Sequence, residues 1–216
     1  MDGYTVVNIL GGLLIVTSLL VVLAKTPKKA AYIYGAQALV LVAMLAMLGS
    51  ITGSSELFLW SGTAFVTKVI LVPAVILFTL KKMGDAEQLP PVISPVVAIV
   101  IIAAEVFLCF LAVNGIDLPT AAEVKPALAI SLAHFFIGLT CIVSQRNIVK
   151  QIFGFCLMEN GSHISLALLA PQAPELIETG IATDAVFAVI IMAVIALRIY
   201  RTTKTLDSNE IMNLKG

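Results

Sequence analysis

The side chains of this sequence best suited to holding or passing a proton are Lys68, Glu105, His134, Cys156, Glu159, Asn160, His163 and Asp184. Lys68, Glu105, His134 and Glu159 fall near the middle of apolar stretches long enough to cross a bilayer. A charged group at the bilayer centre costs roughly 2.5–3.5 kcal/mol on insertion scales. Four unpaired ones would remove about ten kcal/mol, comparable to the stability of an ordinary domain. They must therefore be paired, hydrated or neutral. The chemistry that suits such groups is the movement of protons or ions.

Spacing sorts these residues into sets. Glu159 and His163 are related i,i+4, and Asn160 and His163 i,i+3, so they share one helix face. Cys156 lies one turn earlier, and Ser162 and Ser165 are close by. Gly154 and Gly161 permit close approach of a neighbouring helix. This polar stripe is either a hydrogen-bonded packing seam or a stretch of proton pathway with Glu159 as its carrier. Lys68 lies twelve residues from the basic end of its stretch, and Glu105 thirteen from that of the next. Those depths, about 18 and 20 Å at 1.5 Å per residue, predict a level Lys68–Glu105 ion pair. Such a pair is either structural or a relay lysine whose proton affinity Glu105 tunes. Pro73, one turn past Lys68, frees a backbone carbonyl beside it. His134 and His163 raise a further alternative, a haem b anchor. Their depths of about 14 and 22 Å are uneven for axial ligands, whereas His134 lies nearer the depth of Glu159.

The elements that must position these groups are membrane helices. The 216 residues are 60% hydrophobic and 12% charged, with mean hydropathy +1.06, outside the soluble range. Seven apolar stretches are each about the length a spanning helix needs: Val6–Ala24, Ala30–Leu48, Leu57–Leu80, Val92–Val113, Ala127–Val143, Ile148–Leu169 and Ala182–Tyr200. The segment ahead of the first carries Asp2 and no basic residue, unlike a cleavable signal. Lys25, Lys28, Lys29, Lys81, Lys82, Arg146, Lys150, Arg198, Arg201, Lys204 and Lys215 fall on one side under strict alternation. That side should be the cytoplasm. Asp2, Glu56, Asp117, Glu123, Glu175 and Glu178 fall in the opposite loops, with Lys125 among them. The expected fold is an all-α integral membrane protein of seven helices, N-terminus periplasmic and C-terminus cytoplasmic.

Zero net charge gives no pointer to nucleic acid. The loops are too short to bury a core, so soluble chemistry must come from other chains. Cys109, Cys141 and Cys156 all lie within helices and form no C-x-x-C, which suits small core packing. No P-loop, dinucleotide fingerprint or nucleophile elbow is present, and no metal or cofactor is expected.

Arg146-Asn147, then Gly154, then Asn160 and Ser162 before an apolar run, resembles the small K subunit of NADH–quinone oxidoreductase and the C subunit of multisubunit sodium/proton antiporters. The tail Leu206-Asp-Ser-Asn-Glu-Ile-Met-Asn-Leu-Lys-Gly216 is similar to that family's closing sequence. The resemblance runs from Ala127 onward. It departs at the acids: the family's helix-six glutamate aligns with Cys156, one turn or about 4.5 Å from Glu159. Its second glutamate aligns near Val186, with Asp184 the nearest acid. Four further helices precede this unit, an organisation that resembles the component E family of hydrogenase-4. The implied division is 1–126, a four-helix extension, and 127–216, a K-like unit. The resemblance further implies an accessory, non-catalytic subunit of a formate-hydrogenlyase-type complex in the bacterial inner membrane. Its expected partners are antiporter-like membrane subunits and a nickel–iron hydrogenase arm. Proton conduction and pure scaffolding both remain open for it.

Overall fold

Thr26 starts the second helix by accepting a hydrogen bond from the Lys29 amide, with Pro27 in the first turn, where its missing N–H costs nothing. The same device recurs: Ser54 accepts from the Leu57 amide, Ser94 from Val97, and Asn147 from Val149 and Lys150. Gly53, at φ +66°, closes the second helix in the left-handed conformation that glycine adopts without penalty.

The computed structural model describes residues 3–84, 89–116 and 122–212. Among them are seven helices long and apolar enough to cross a membrane. They are α1 (Gly3–Leu23), α2 (Pro27–Thr52), α3 (Ser55–Met83), α4 (Pro95–Asn114), α5 (Lys125–Ser144), α6 (Ile148–Leu169) and α7 (Glu175–Thr203). A short α8 (Ser208–Met212) follows. The described residues contain no strand, only an isolated bridge between Asn147 and Asp207. Asp2, Asp117 and Lys215, three charges behind the expected orientation, lie outside the described residues.

α7 departs from its expected range. It begins at Glu175, not Ala182, because helical spacing continues through a segment too polar to count toward an apolar run. Glu178, expected in a loop, is thereby corrected to a buried helical position, 3% exposed.

α5 and α6 form the tightest pair in the bundle. A Cβ on Gly138 would stand 2.3 Å from Met158 N, one on Gly154 2.7 Å from Ile142 Cγ1, and one on Gly161 2.5 Å from Phe135 N. Backbone therefore meets backbone, the contact that small residues provide where apolar burial gives no drive between helices. α1 and α2 pack against this pair, while α3 and α7 pack on each other and reach it through α2 and α6. α4 lies along α5 at the edge and exposes Val96, Val100, Phe107, Leu108 and Leu111. Such a face suits hydrocarbon.

α3 is not uniform. An α segment, Ser55–Ala64, passes into a π-helical stretch, Phe65–Leu71, and back into α geometry over Val72–Met83. The Val72 amide donates to the Thr67 carbonyl, five residues back. Pro73 explains the widening: it has no N–H, and its ring presses on the carbonyl four residues before it. Gly35 of α2 faces the spot, where a Cβ would lie 3.8 Å from Pro73 Cγ and 4.0 Å from Val69 O. π segments within α-helices gather at functional sites. Lys68 occupies this one.

Candidate functional site

The Lys68 side chain is 1% exposed, and its ammonium spends all three protons. It donates to Glu159 Oε1 and Oε2 at 2.7 Å each, and to Asn160 Oδ1 at 2.8 Å. A buried ion pair is tolerated when both charges are matched and the remaining donors are satisfied. Here the match comes from consecutive residues of α6 facing the π segment of α3.

The expected Lys68–Glu105 pair is thus corrected: the partner of Lys68 is Glu159. Equal depth holds no information about which helices are neighbours. Glu105 sits on α4, which packs along α5, whereas Lys68 sits on α3, by α2 and α7. Thr140 of α5 donates to Glu105 Oε1 in a short hydrogen bond, and the buried Oε2 has no hydrogen-bond partner.

From Lys68 a polar chain crosses the bundle. Lysine has no acceptor, so the Asn160 atom facing it must be Oδ1. Asn160 Nδ2 then donates to Gln37 Oε1 at 3.1 Å, which turns Gln37 Nε2 toward His134 Nε2 at 3.2 Å. That nitrogen must accept, so the His134 proton resides on Nδ1 and is donated to Ser18 Oγ at 2.9 Å. Ser18 Oγ in turn donates to the Leu14 carbonyl at 2.6 Å. One charge on Lys68 therefore fixes two amides, a tautomer and a hydroxyl on four other helices. His134 and Glu159 are joined through Asn160 and Gln37, not directly. Amides donate and accept here without gaining or losing a proton. Both His134 ring nitrogens are engaged in this network.

A second ionisable pair lies beside the first. His163 Nε2 stands 2.6 Å from Glu178 Oε2, with the side chains 0% and 3% exposed. The approach is too oblique for a straight hydrogen bond, and His163 Nδ1, both Glu178 oxygens and Trp60 Nε1 are buried without hydrogen-bond partners. The Trp60 and His163 rings lie 5.5 Å apart. His163 lies one turn along α6 from Glu159, the partner of Lys68. With Lys68 and Glu159 cancelling, the pair is neutral either as imidazolium and carboxylate or as imidazole and carboxylic acid. Each form carries one exchangeable proton.

The other sequence-singled residues separate. Cys156 is buried one turn before Glu159, consistent with packing. Asp184 is exposed on α7, outside the network. At the basic end, Arg146 donates from Nε to Asp207 Oδ1 at 3.1 Å and from Nη2 to Oδ2 at 2.5 Å. Ile148 N donates to Leu206 O and Ser208 N to Arg146 O, tying the α5–α6 loop to the tail.

Gln37, Ser18 and Glu178 escaped the sequence reading. Ser18 carries no signal, and Gln37 is a neutral residue in an apolar run. Glu178 had one: the buried stripe Ala182, Ala185, Val189, Ala193 and Ala196 steps at helical spacing, and one step back reaches it.

The family described as NADH-ubiquinone/plastoquinone oxidoreductase chain 4L matches residues 126–216. Over 216 residues, all of both chains, the sequence is 47% identical to hydrogenase-4 component E of Escherichia coli (strain K12). The protein of the same description from Shigella flexneri gives the same identity and coverage. An uncharacterized protein of Mycobacterium tuberculosis is 28% identical over 89 residues, 41% of this chain and 40% of its own. No solved structure matches.

Proposed function

As the chain belongs to the hydrogenase-4 component E family, we propose that its Lys68–Glu159 pair exchanges protons in the membrane arm of a hydrogenase or formate-hydrogenlyase-type complex. The chain is then an accessory subunit in the bacterial inner membrane, N-terminus periplasmic, and its catalytic chemistry belongs to a nickel–iron hydrogenase arm. The observation that carries this reading is the buried Lys68–Glu159 pair seated on a π-helical segment.

A proton passes through the Lys68–Glu159 pair in three steps and leaves in a fourth. A proton arriving on Glu159 neutralises the carboxylate and leaves the buried ammonium without its counter-charge. Lys68 then releases a proton, for which the His163–Glu178 pair is the nearby acceptor. Transfer from protonated Glu159 to neutral Lys68, across 2.7 Å, restores the starting pair. In the fourth, the His163–Glu178 pair, which holds the released proton as imidazolium and carboxylic acid, gives it up and returns to its neutral form, so that one proton has entered and one has left. Asn160, Gln37 and His134 hold Lys68 in register and carry none of the current. The division of the chain at 126/127 fits this reading, with Lys68 contributed by the N-terminal extension and Glu159 by the K-like unit.

An exposed acid at the depth of Asp184 is costly against lipid, which supports a protein neighbour along α7. Antiporter-like subunits are the partners proposed there. A scaffold that moves no proton is the second reading, favoured by the fact that Lys68 already has three acceptors. Membership is tested by affinity purification of the tagged chain from native membranes. Co-purification of antiporter-like and nickel–iron hydrogenase subunits at fixed stoichiometry is expected. Recovery of the chain alone, or without the hydrogenase arm, would count against it.

A further inference from the structure

A cavity of about 240 Å³ opens at the basic end of the bundle, far larger than one water requires. Its lining includes Lys25 after α1, Leu89 and Pro91 ahead of α4, and Ser144, Gln145 and Lys150 at the α5–α6 turn. Lys150 is 6% exposed. Its ammonium donates to the Val22 carbonyl at 3.2 Å and to Gln145 Oε1 at 2.6 Å. Gln145 is held in that orientation because its Nε2 donates to the same carbonyl, also at 3.2 Å.

Both acceptors are neutral. Among the described residues no carboxylate lies within ion-pair distance of Lys150. The contrast with Lys68 is direct: that ammonium meets a carboxylate, while this one is buried beside a cavity and meets no carboxylate among the described residues. A buried cation in this state favours an anion from outside. Lys25 adds a second positive charge at the rim. Apolar surface flanks the opening, with Leu20 of α1 and Val96, Val97 and Val100 of α4 exposed nearby along the helices.

We propose that this cavity binds the phosphate of an anionic phospholipid. Lys150 is the buried contact, Lys25 closes the mouth, and the acyl chains run along α1 and α4. Basic pockets between helices at a membrane surface recognise headgroups of this kind. The position at the helix ends and the apolar flanks favour a lipid over free phosphate.

The test is native mass spectrometry of the full chain in detergent, titrated separately with phosphatidylglycerol, phosphatidylcholine and inorganic phosphate. Phosphatidylglycerol is expected to bind about tenfold more tightly than phosphatidylcholine, with the preference falling about fivefold in Lys25→Met and further in Lys150→Met. Lys25 is exposed, so that variant carries the test even where Lys150→Met fails to fold. Equal binding of the two lipids would overturn the proposal, as would an undiminished preference in Lys25→Met. Displacement of phosphatidylglycerol by millimolar inorganic phosphate would reassign the cavity to a soluble anion and overturn the lipid assignment.

Discussion

Lys68→Met is expected to cost about 3–5 kcal/mol of stability, because it leaves the Glu159 carboxylate and Asn160 Oδ1 in the bundle without their cation. The loss does not stop at the pair. Asn160 is oriented by Lys68, Gln37 by Asn160 and His134 by Gln37, so removing the ammonium frees the amides to rotate. Lys68→Met/Glu159→Gln is expected to recover most of the stability, since no unpaired charge remains. Thermal unfolding of the purified subunit checks both, and the coupling energy follows from the double-mutant cycle. Additive losses would mean that the two side chains do not meet.

Gly161→Ala is the second large effect. Its Cβ would lie 2.5 Å from Phe135 N, 2.8 Å from Ser131 O and 2.9 Å from Phe135 Cα. These are backbone atoms and cannot turn aside as a side chain would. α5 and α6 must separate, disturbing the Ser131–Ser165 hydrogen bond of 2.8 Å and the placement of Asn160. Overpacking of this kind costs about 1–3 kcal/mol or more. The expected outcome is a sharply reduced level of the chain in membranes. Gly12→Ala, where nothing lies within 4 Å of the added Cβ, is the matched control and is expected to accumulate normally. Equal levels for the two variants would show that α5 and α6 do not approach this closely.

The seven helices were legible because hydrocarbon thickness imposes a length and an apolarity that short loops cannot disguise. α6 matches its expected range, Ile148–Leu169, at both ends. Lys68, Glu159 and Asn160 could be singled out one by one, because ionisable and amide groups at that depth are costly. Their meeting could not. Pairing depends on which helices are neighbours, and depth along consecutive helices placed Lys68 opposite Glu105 when α3 and α4 lie on different flanks. Glu178 was hidden for a related reason: hydropathy ended α7 where polarity began, although the buried stripe ran on. The Arg146–Asp207 contact joins the two segments whose motifs carry the K-subunit resemblance, a link that no local pattern encodes.

The proposed exchange of protons between Lys68 and Glu159 takes place during turnover. It is tested most directly in proteoliposomes containing the intact complex, by measuring protons translocated per hydrogenase turnover. Glu159→Gln keeps the shape and an oxygen acceptor for Lys68, and Lys68→Met/Glu159→Gln removes both charges together. In each, hydrogenase turnover is expected to stay near that of the unaltered complex while protons per turnover fall at least about tenfold. Unchanged protons per turnover in both variants, at normal complex levels, would contradict the account and leave the pair as a structural clamp.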